Sequence, residues 1–148
     1  MAIISENLTV HEVTCLKELH DIWPRIRDGL QSVINKCPDM IEMPEDTYHA
    51  IKTGTSRLLV GTIEDCYEGF FIVSDISCVD GKGLLVSIIC NAGNDVHFVG
   101  NFFKVIEKMV FLGGYRRATF AITRKGWTPF LNRMGYKVAS ITYQTIEA

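Results

Sequence analysis

Apolar and polar positions change period several times along the chain, and each change marks an element. Asn7 to Thr14 alternates apolar with polar side chains and is rich in β-branched residues, which predicts a first strand at a sheet edge. Leu16, Leu19, Ile22, Trp23, Ile26, Leu30, Val33 and Ile34 then recur at helical spacing. Pro24 falls inside that stripe, where its missing N–H and its ring must kink or divide the helix. Cys37-Pro38-Asp39 stops it, and Pro44-Glu45-Asp46 opens a second, short helix, with Gly54 just past its end.

Leu58 to Ile63, Gly69 to Cys78 and Leu84 to Cys90 follow as three strands, predicted to form an antiparallel meander. Asp80-Gly81 between the last two is a hairpin signal, because the turn needs residues that tolerate positive φ. Leu84 to Cys90 is a continuous apolar run, as a strand covered on both faces requires. Phe98, Phe102, Val105, Ile106, Met109, Val110 and Leu112 predict a long helix over Val96 to Leu112, capped by Asn94 or Asp95 and ended by Gly113-Gly114. Arg117 to Ile122 is the next strand. It is set parallel and adjacent to Leu84–Cys90 by the crossover helix. A short helix with Pro129 in its first turn and Gly135 as its stop, then a closing strand from Tyr136 to Ile146, complete the order.

These elements predict a mixed α/β (α+β) fold in one domain spanning residues 1–148. Its sheet combines an antiparallel meander with a parallel strand-helix-strand crossover, and helices cover both faces. A content of 47% hydrophobic and 22% charged residues supports a sizeable core. No run of about 18 apolar residues and no basic-then-apolar leader is present, so the chain is expected to stay off membranes and in the cytoplasm.

Five cysteines (Cys15, Cys37, Cys66, Cys78, Cys90) are widely spaced and contain no Cys-x-x-Cys pair. They read as reduced, mostly buried thiols rather than as a disulfide framework or a zinc site, and the scattered histidines give no metal site either. The net charge of −2 conceals a polarity. Residues 1–100 hold 7 basic against 15 acidic side chains, and residues 101–148 hold 8 against 2. The basic end reads either as solvated surface or as a surface that meets phosphate; no nucleic-acid motif accompanies it, so nucleic acid is not the expected partner.

In open α/β sheets, ligands sit in the crevice at the carboxyl ends of parallel strands, beside helix N-termini that favour anions. That places a small-molecule site near Cys90 to Gly100. His97 is either a candidate base or phosphate ligand or, the reading its position favours, a partly exposed residue at a helix start. Asp75 is either a cleft carboxylate or an exposed sheet-face residue. Nothing adjacent lowers the pKa of Cys90, so it reads as a buried, inert thiol.

The element order, together with Phe130-Leu131-Asn132-Arg133-Met134-Gly135-Tyr136, resembles the GCN5-related N-acetyltransferase (GNAT) superfamily. Its members typically end in a Leu-Tyr-x-Lys-x-Gly-Phe segment; Arg133, Gly135 and Tyr136 stand at the Lys, Gly and Phe positions. The small size and the Lys-Gly-Trp-Thr-Pro-Phe-Leu stretch also look like the GNAT-like proteins of bacteriophages, some of them virion components. The resemblance implies that acetyl-CoA lies between the strand ending at Cys90 and the strand beginning at Arg117. It gives the pantetheine role to the backbone of Ile89, Cys90 and Asn91, and the phosphate role to Gly93 through Gly100. Arg124 and Lys125 follow the later strand, where they either reach a cofactor phosphate or stay solvated.

The sequence departs from that pattern at the chemistry. Asn91 to Gly100 has no Arg or Gln opening the loop, and its glycines are spaced differently. Asp95 would repel a pyrophosphate by roughly 1 kcal/mol per charge pair at about 4 Å in water. The tyrosine that often acts as general acid in the family falls on Leu131, and Trp127 brings a bulky indole to the pantetheine groove. The sequence therefore leans towards a GNAT fold with a degenerate acetyl-CoA site, working as a binding or assembly module with a protein partner or with itself, such as a phage virion component. The alternative is an acyl-CoA-dependent N-acetyltransferase acting on an unidentified amine.

Overall fold

A computed structural model gives the fold of the chain at residues 2–5, 8–36, 43–93, 98–121, 132, 133 and 135, with side chains from residue 8 onward except at 98 and 99. The elements run β1 (Ala2–Ser5), β2 (Leu8–Glu12), α1 (Leu16–Lys36), α2 (Pro44–Lys52), β3 (Arg57–Ile63), β4 (Cys66–Cys78), β5 (Gly81–Asn91), α3 (Phe98–Gly113) and β6 (Ala118–Phe120). The strands form one sheet in chain order, antiparallel from β1 to β5 and parallel between β5 and β6. This is the α+β arrangement of meander plus crossover that the periodicity predicts.

Strand alternation divides the core into two layers. Leu8, Leu59, Phe71, Val73 and Leu84 face α3, where they meet Phe102, Val105, Ile106 and Met109. Leu58, Val60, Phe70, Ile72 and Ile88 face the other way and are covered by Leu19, Ile26 and Leu30 of α1 and Ile51 of α2. Phe71 and Phe102 meet edge to face with centroids 4.5 Å apart, a contact worth about 0.5–1.5 kcal/mol beyond the area it buries.

Four local readings need correction or extension. The strand at Leu8–Glu12 is not an edge, because β1 pairs outside it; four residues of Ala-Ile-Ile-Ser are too few to give a period. Pro24 does not divide its helix. Helix α1 runs continuously through it, and the buried Leu19, Ile26 and Leu30 hold both halves on the sheet. Strand β4 begins at Cys66, three residues before the predicted start, through a two-residue turn in which Glu64 and Asp65 both take positive φ (51° and 64°). Of the four described cysteines, all free, only Cys90 is buried, whereas Cys15 and Cys66 are exposed. The predicted segments 123–131 and 136–146 lie outside the described residues; Gly135 has φ 89° and its N–H donates to the Asn132 carbonyl, the geometry of a helix stop.

A polar network ties the crossover to the meander at the amino-terminal end of β6. Arg57 donates to Glu12 Oε1 from Nε (3.0 Å) and Nη2 (2.7 Å), and from Nη1 to the Tyr115 hydroxyl (3.0 Å). Tyr115 in turn donates to Asp75 Oδ1 at 2.5 Å, and the Lys82 ammonium lies 4.4 Å from the Tyr115 ring centroid. The Glu12 carboxylate holds the Arg57 guanidinium above its ordinary pKa against the opposing effect of burial. Asp75 is therefore a member of this network, opposite Leu84 near the start of β5, and does not reach the carboxyl end of that strand.

Helix α1 sits close on the sheet because residue 29 is glycine. A Cβ there would stand 2.7 Å from Phe70 Cε1 and 2.9 Å from Cys90 Sγ. The Gly29→Ala variant gains about 1 kcal/mol of helix propensity but overpacks a fully buried ring, a cost of about 1–3 kcal/mol. Denaturant unfolding is expected to give a net loss of stability; a gain would mean that α1 shifts freely on the sheet.

Candidate functional site

The site is built on the end of β5. Strand β6 pairs with it only at Leu84↔Ala118, Leu85↔Thr119 and Val86↔Phe120, and the last bond on that edge is Ala121 N–H to the Val86 carbonyl at 3.0 Å. Strand β4 stays paired with β5 as far as Asn91. From Ser87 to Asn91, β5 thus has a strand on one side and, among the described residues, none on the other.

A bulge coincides with this parting. Val73 pairs with Val86 while Ile72 pairs with Ile88, so Ser87 is an extra residue, and its hydroxyl donates to the Ile72 carbonyl at 3.2 Å. The extra residue resets the alternation. Leu84 and Val86 face α3, whereas Ile88 and Cys90 face α1. The backbone resets with it. Before the bulge, Leu84 N–H points to β6 and bonds the Arg117 carbonyl; beyond it, Ala92 N–H points to β4 and bonds the Glu68 carbonyl, both at 2.9 Å. Counting back from Ala92, Cys90 and Ile88 address β4, and the N–H and C=O groups of Ile89 and Asn91 address the open edge.

A second bulge, between β3 and β4, lies further along at the end of β5. Gly61 pairs with Gly69 and Thr62 with Tyr67, leaving Glu68 as the extra residue of β4. Its carbonyl accepts the N–H groups of both Ala92 and Gly93 at 2.9 Å. Its carboxylate lies over Gly93, so close that a Cβ on that glycine would fall 1.6 Å from Oε2. That oxygen is buried and has no hydrogen-bond partner among the described residues, and the same holds for the Tyr67 hydroxyl. The Arg25 guanidinium of α1 stands 5.6 Å from the Tyr67 ring centroid. Burial, helped by the neighbouring Cys90 and opposed by Arg25, pushes the Tyr67 phenol far up, so it stays a neutral donor. Burial also pushes the Cys90 thiol up, with Lys36 opposing, and a thiol so placed is not poised as a nucleophile.

Ile89, Cys90, Asn91 and Gly93 therefore lie in succession along the end of β5 and just past it. Gly100 lies in the first described turn of α3, with open space where a Cβ would project. Arg124, Lys125, Asp95, His97, Trp127, Leu131 and Tyr136 fall outside the described residues. Sequence reasoning missed Tyr67, Glu68 and Ser87. Their signals were present: two adjacent polar residues before Gly69, and a lone serine inside an otherwise apolar run.

The backbone groups of Ile89 and Asn91 on the open edge offer the donors and acceptors that a strand-like, amide-bearing ligand needs. Gly93 does not suit a phosphate, since its N–H is already given to Glu68 and a carboxylate covers its Cα. Among the described residues no group of three His, Cys, Asp or Glu side chains comes together as metal ligands, and no helix is long and apolar enough to cross a membrane.

No family model matches the sequence, and no curated protein matches it. Solved structures do match. The ribosomal-protein-alanine N-acetyltransferase of Brucella melitensis biovar Abortus 2308 superposes with a TM-score of 0.69 at 14% identity, covering 95% of this chain and 99% of that one. A possible acetyltransferase of Clostridium difficile 630 gives 0.71 at 9%, over 97% and 99% of the two chains. A transcriptional regulator of Bacillus halodurans C-125 gives 0.71 at 13%, over 95% and 99%. The fold is thus the GNAT-like fold that the element order predicts; at these identities the likeness is one of fold alone.

The contact between Glu68 and Gly93 can be tested by coupling. Gly93→Ala must displace the carboxylate and is expected to cost about 1–3 kcal/mol in unfolding experiments. In the Glu68→Ala background the same change should cost clearly less, and additive effects would mean that the two residues do not touch.

Proposed function

We propose that the protein is an acyl-CoA-dependent N-acyltransferase, acetyl-CoA being the simplest donor and a primary amine the acceptor. The observation that carries this reading is the edge of β5 beyond Val86, which no described strand pairs, with the Ser87 bulge turning the backbone groups of Ile89 and Asn91 towards it. Backbone donors held in a sheet are already oriented, and so they cost no reorganisation when a ligand arrives. Bound acyl-CoA would supply an activated thioester. The chain would hold its pantetheine arm at Ile89 and Asn91 and polarise the acyl oxygen with N–H groups of the bulged strand. Cys90 takes no part, because its thiol faces α1 and its pKa is raised. This reading is compatible with action in the cytoplasm.

A second reading has one observation in its favour. The Glu68 carboxylate over Gly93, with no Arg or Gln opening the loop from Asn91, suits a fold that has given up the cofactor. On that reading the protein is an assembly module that contacts a protein partner or copies of itself, as a phage virion component in host cytoplasm or particle would.

Titration calorimetry separates the two. The acyltransferase reading expects saturable binding of acetyl-CoA. It also expects Asn91→Pro, which removes an N–H on the open edge of an exposed strand-end residue and holds φ at about −65°, to keep the fold and weaken binding about three- to tenfold. Asn91→Ala keeps that N–H and should bind as the parent does. Absence of binding by the unmodified protein, with self-association in solution, would favour the assembly module.

A further inference from the structure

We infer that the donor is recognised through its acyl-pantetheine portion alone, and that Glu68 is the residue that makes the nucleotide portion dispensable. This rests on the acyltransferase reading and adds the chemical class of the donor: an acyl thioester of pantetheine, whether or not a nucleotide follows.

Three features of one place carry it. The N–H groups of Ala92 and Gly93, the first two after the open edge ends at Asn91, both donate to the Glu68 carbonyl at 2.9 Å. Neither is free to bind an anion. The space above Gly93, which a glycine at the head of a loop would otherwise offer to a ligand, is filled by the Glu68 side chain, with Oε2 1.6 Å from the position of a Cβ. Finally, that oxygen is buried and accepts no hydrogen bond from the described residues, so none of their donors softens its effect on an approaching phosphate. The open edge before it is neutral and made of backbone, and is unaffected. A ligand lying along β5 thus meets good partners as far as Asn91 and a filled, anion-repelling step immediately after.

A carboxylate oxygen kept without a hydrogen bond over a glycine is an expensive arrangement, since a buried polar atom without a partner opposes folding. Glu68→Gln has the same shape and no charge. It leaves Ile89 and Asn91 untouched, and so it isolates the electrostatic part of the step from the strand part.

The test compares acetyl-CoA with S-acetylpantetheine by calorimetry on the full chain, unmodified and as Glu68→Gln. The unmodified protein is expected to bind the two ligands within about threefold of each other. Glu68→Gln is expected to strengthen acetyl-CoA about fivefold or more, the effect of removing one like-charge contact, and to leave S-acetylpantetheine unchanged. Acetyl-CoA binding more than about thirtyfold tighter than S-acetylpantetheine to the unmodified protein would overturn the inference and leave the acyltransferase reading standing. So would a Glu68→Gln variant that changes both ligands equally. Failure of the unmodified protein to bind either ligand would overturn both. The comparison on the unmodified protein decides the matter even if the variant does not fold.

Discussion

A strand in the middle of a sheet must satisfy its backbone on two edges and bury its side chains on two faces, and in this protein the strand on which that demand bears hardest is β5. It is held by β4 along its whole length but, among the described residues, by β6 over only three. The single extra residue Ser87 reconciles the two, because it lets β5 follow β4 while turning the edge that β6 has left. Were Ser87 paired in a regular ladder instead of bulged, Ile88 and Cys90 would face α3 with Leu84 and Val86, the layer beneath α1 would lose two members, and Ile89 and Asn91 would present their backbone groups to β4. The bulge thus decides core packing and the open edge together.

The remaining architecture keeps this strand in place from both sides. Beneath it, α3 packs Phe102 against Phe71 and runs back to β6 through Tyr115, which Arg57 and Asp75 hold at the far end of the sheet. Above it, α1 approaches closely enough at Gly29 to touch Phe70 and Cys90. Close packing at one end and, among the described residues, no strand partner at the other is the arrangement in which a ligand can complete a sheet without rebuilding a core. A groove of about 640 Å³ at the far end, lined by Val110, Phe111, Tyr115 and Arg116, lies at the wrong end of the parallel strands for this role.

The sequence displays its helices and its meander because those elements are written in long periods: the stripes of α1 and α3 and the Asp80-Gly81 hairpin are each legible on their own. What it conceals is register. Leu84 to Cys90 reads as an apolar run broken only by Ser87, and since both faces of β5 are buried, the hydrophobic pattern does not show that the phase shifts at that serine. Glu68 is hidden for a related reason, as a bulged residue has no place in a period of two. The departures of the loop from the family pattern were visible, but not that Glu68, twenty-five residues earlier in the chain, sits on Gly93. Pro24 leaves α1 undivided, because tertiary packing of the helix outweighs the loss of one helical bond.

The central claim is that the open edge of β5 is the ligand site, and amide resonances report on it residue by residue. With the backbone assigned by NMR, saturating acetyl-CoA is expected to shift the amides of Ile89 and Asn91 and to leave those of Ile88 and Cys90, which address β4, nearly in place. Shifts centred on the Tyr115 groove, or saturable binding that leaves Ile89 and Asn91 unmoved, would contradict it.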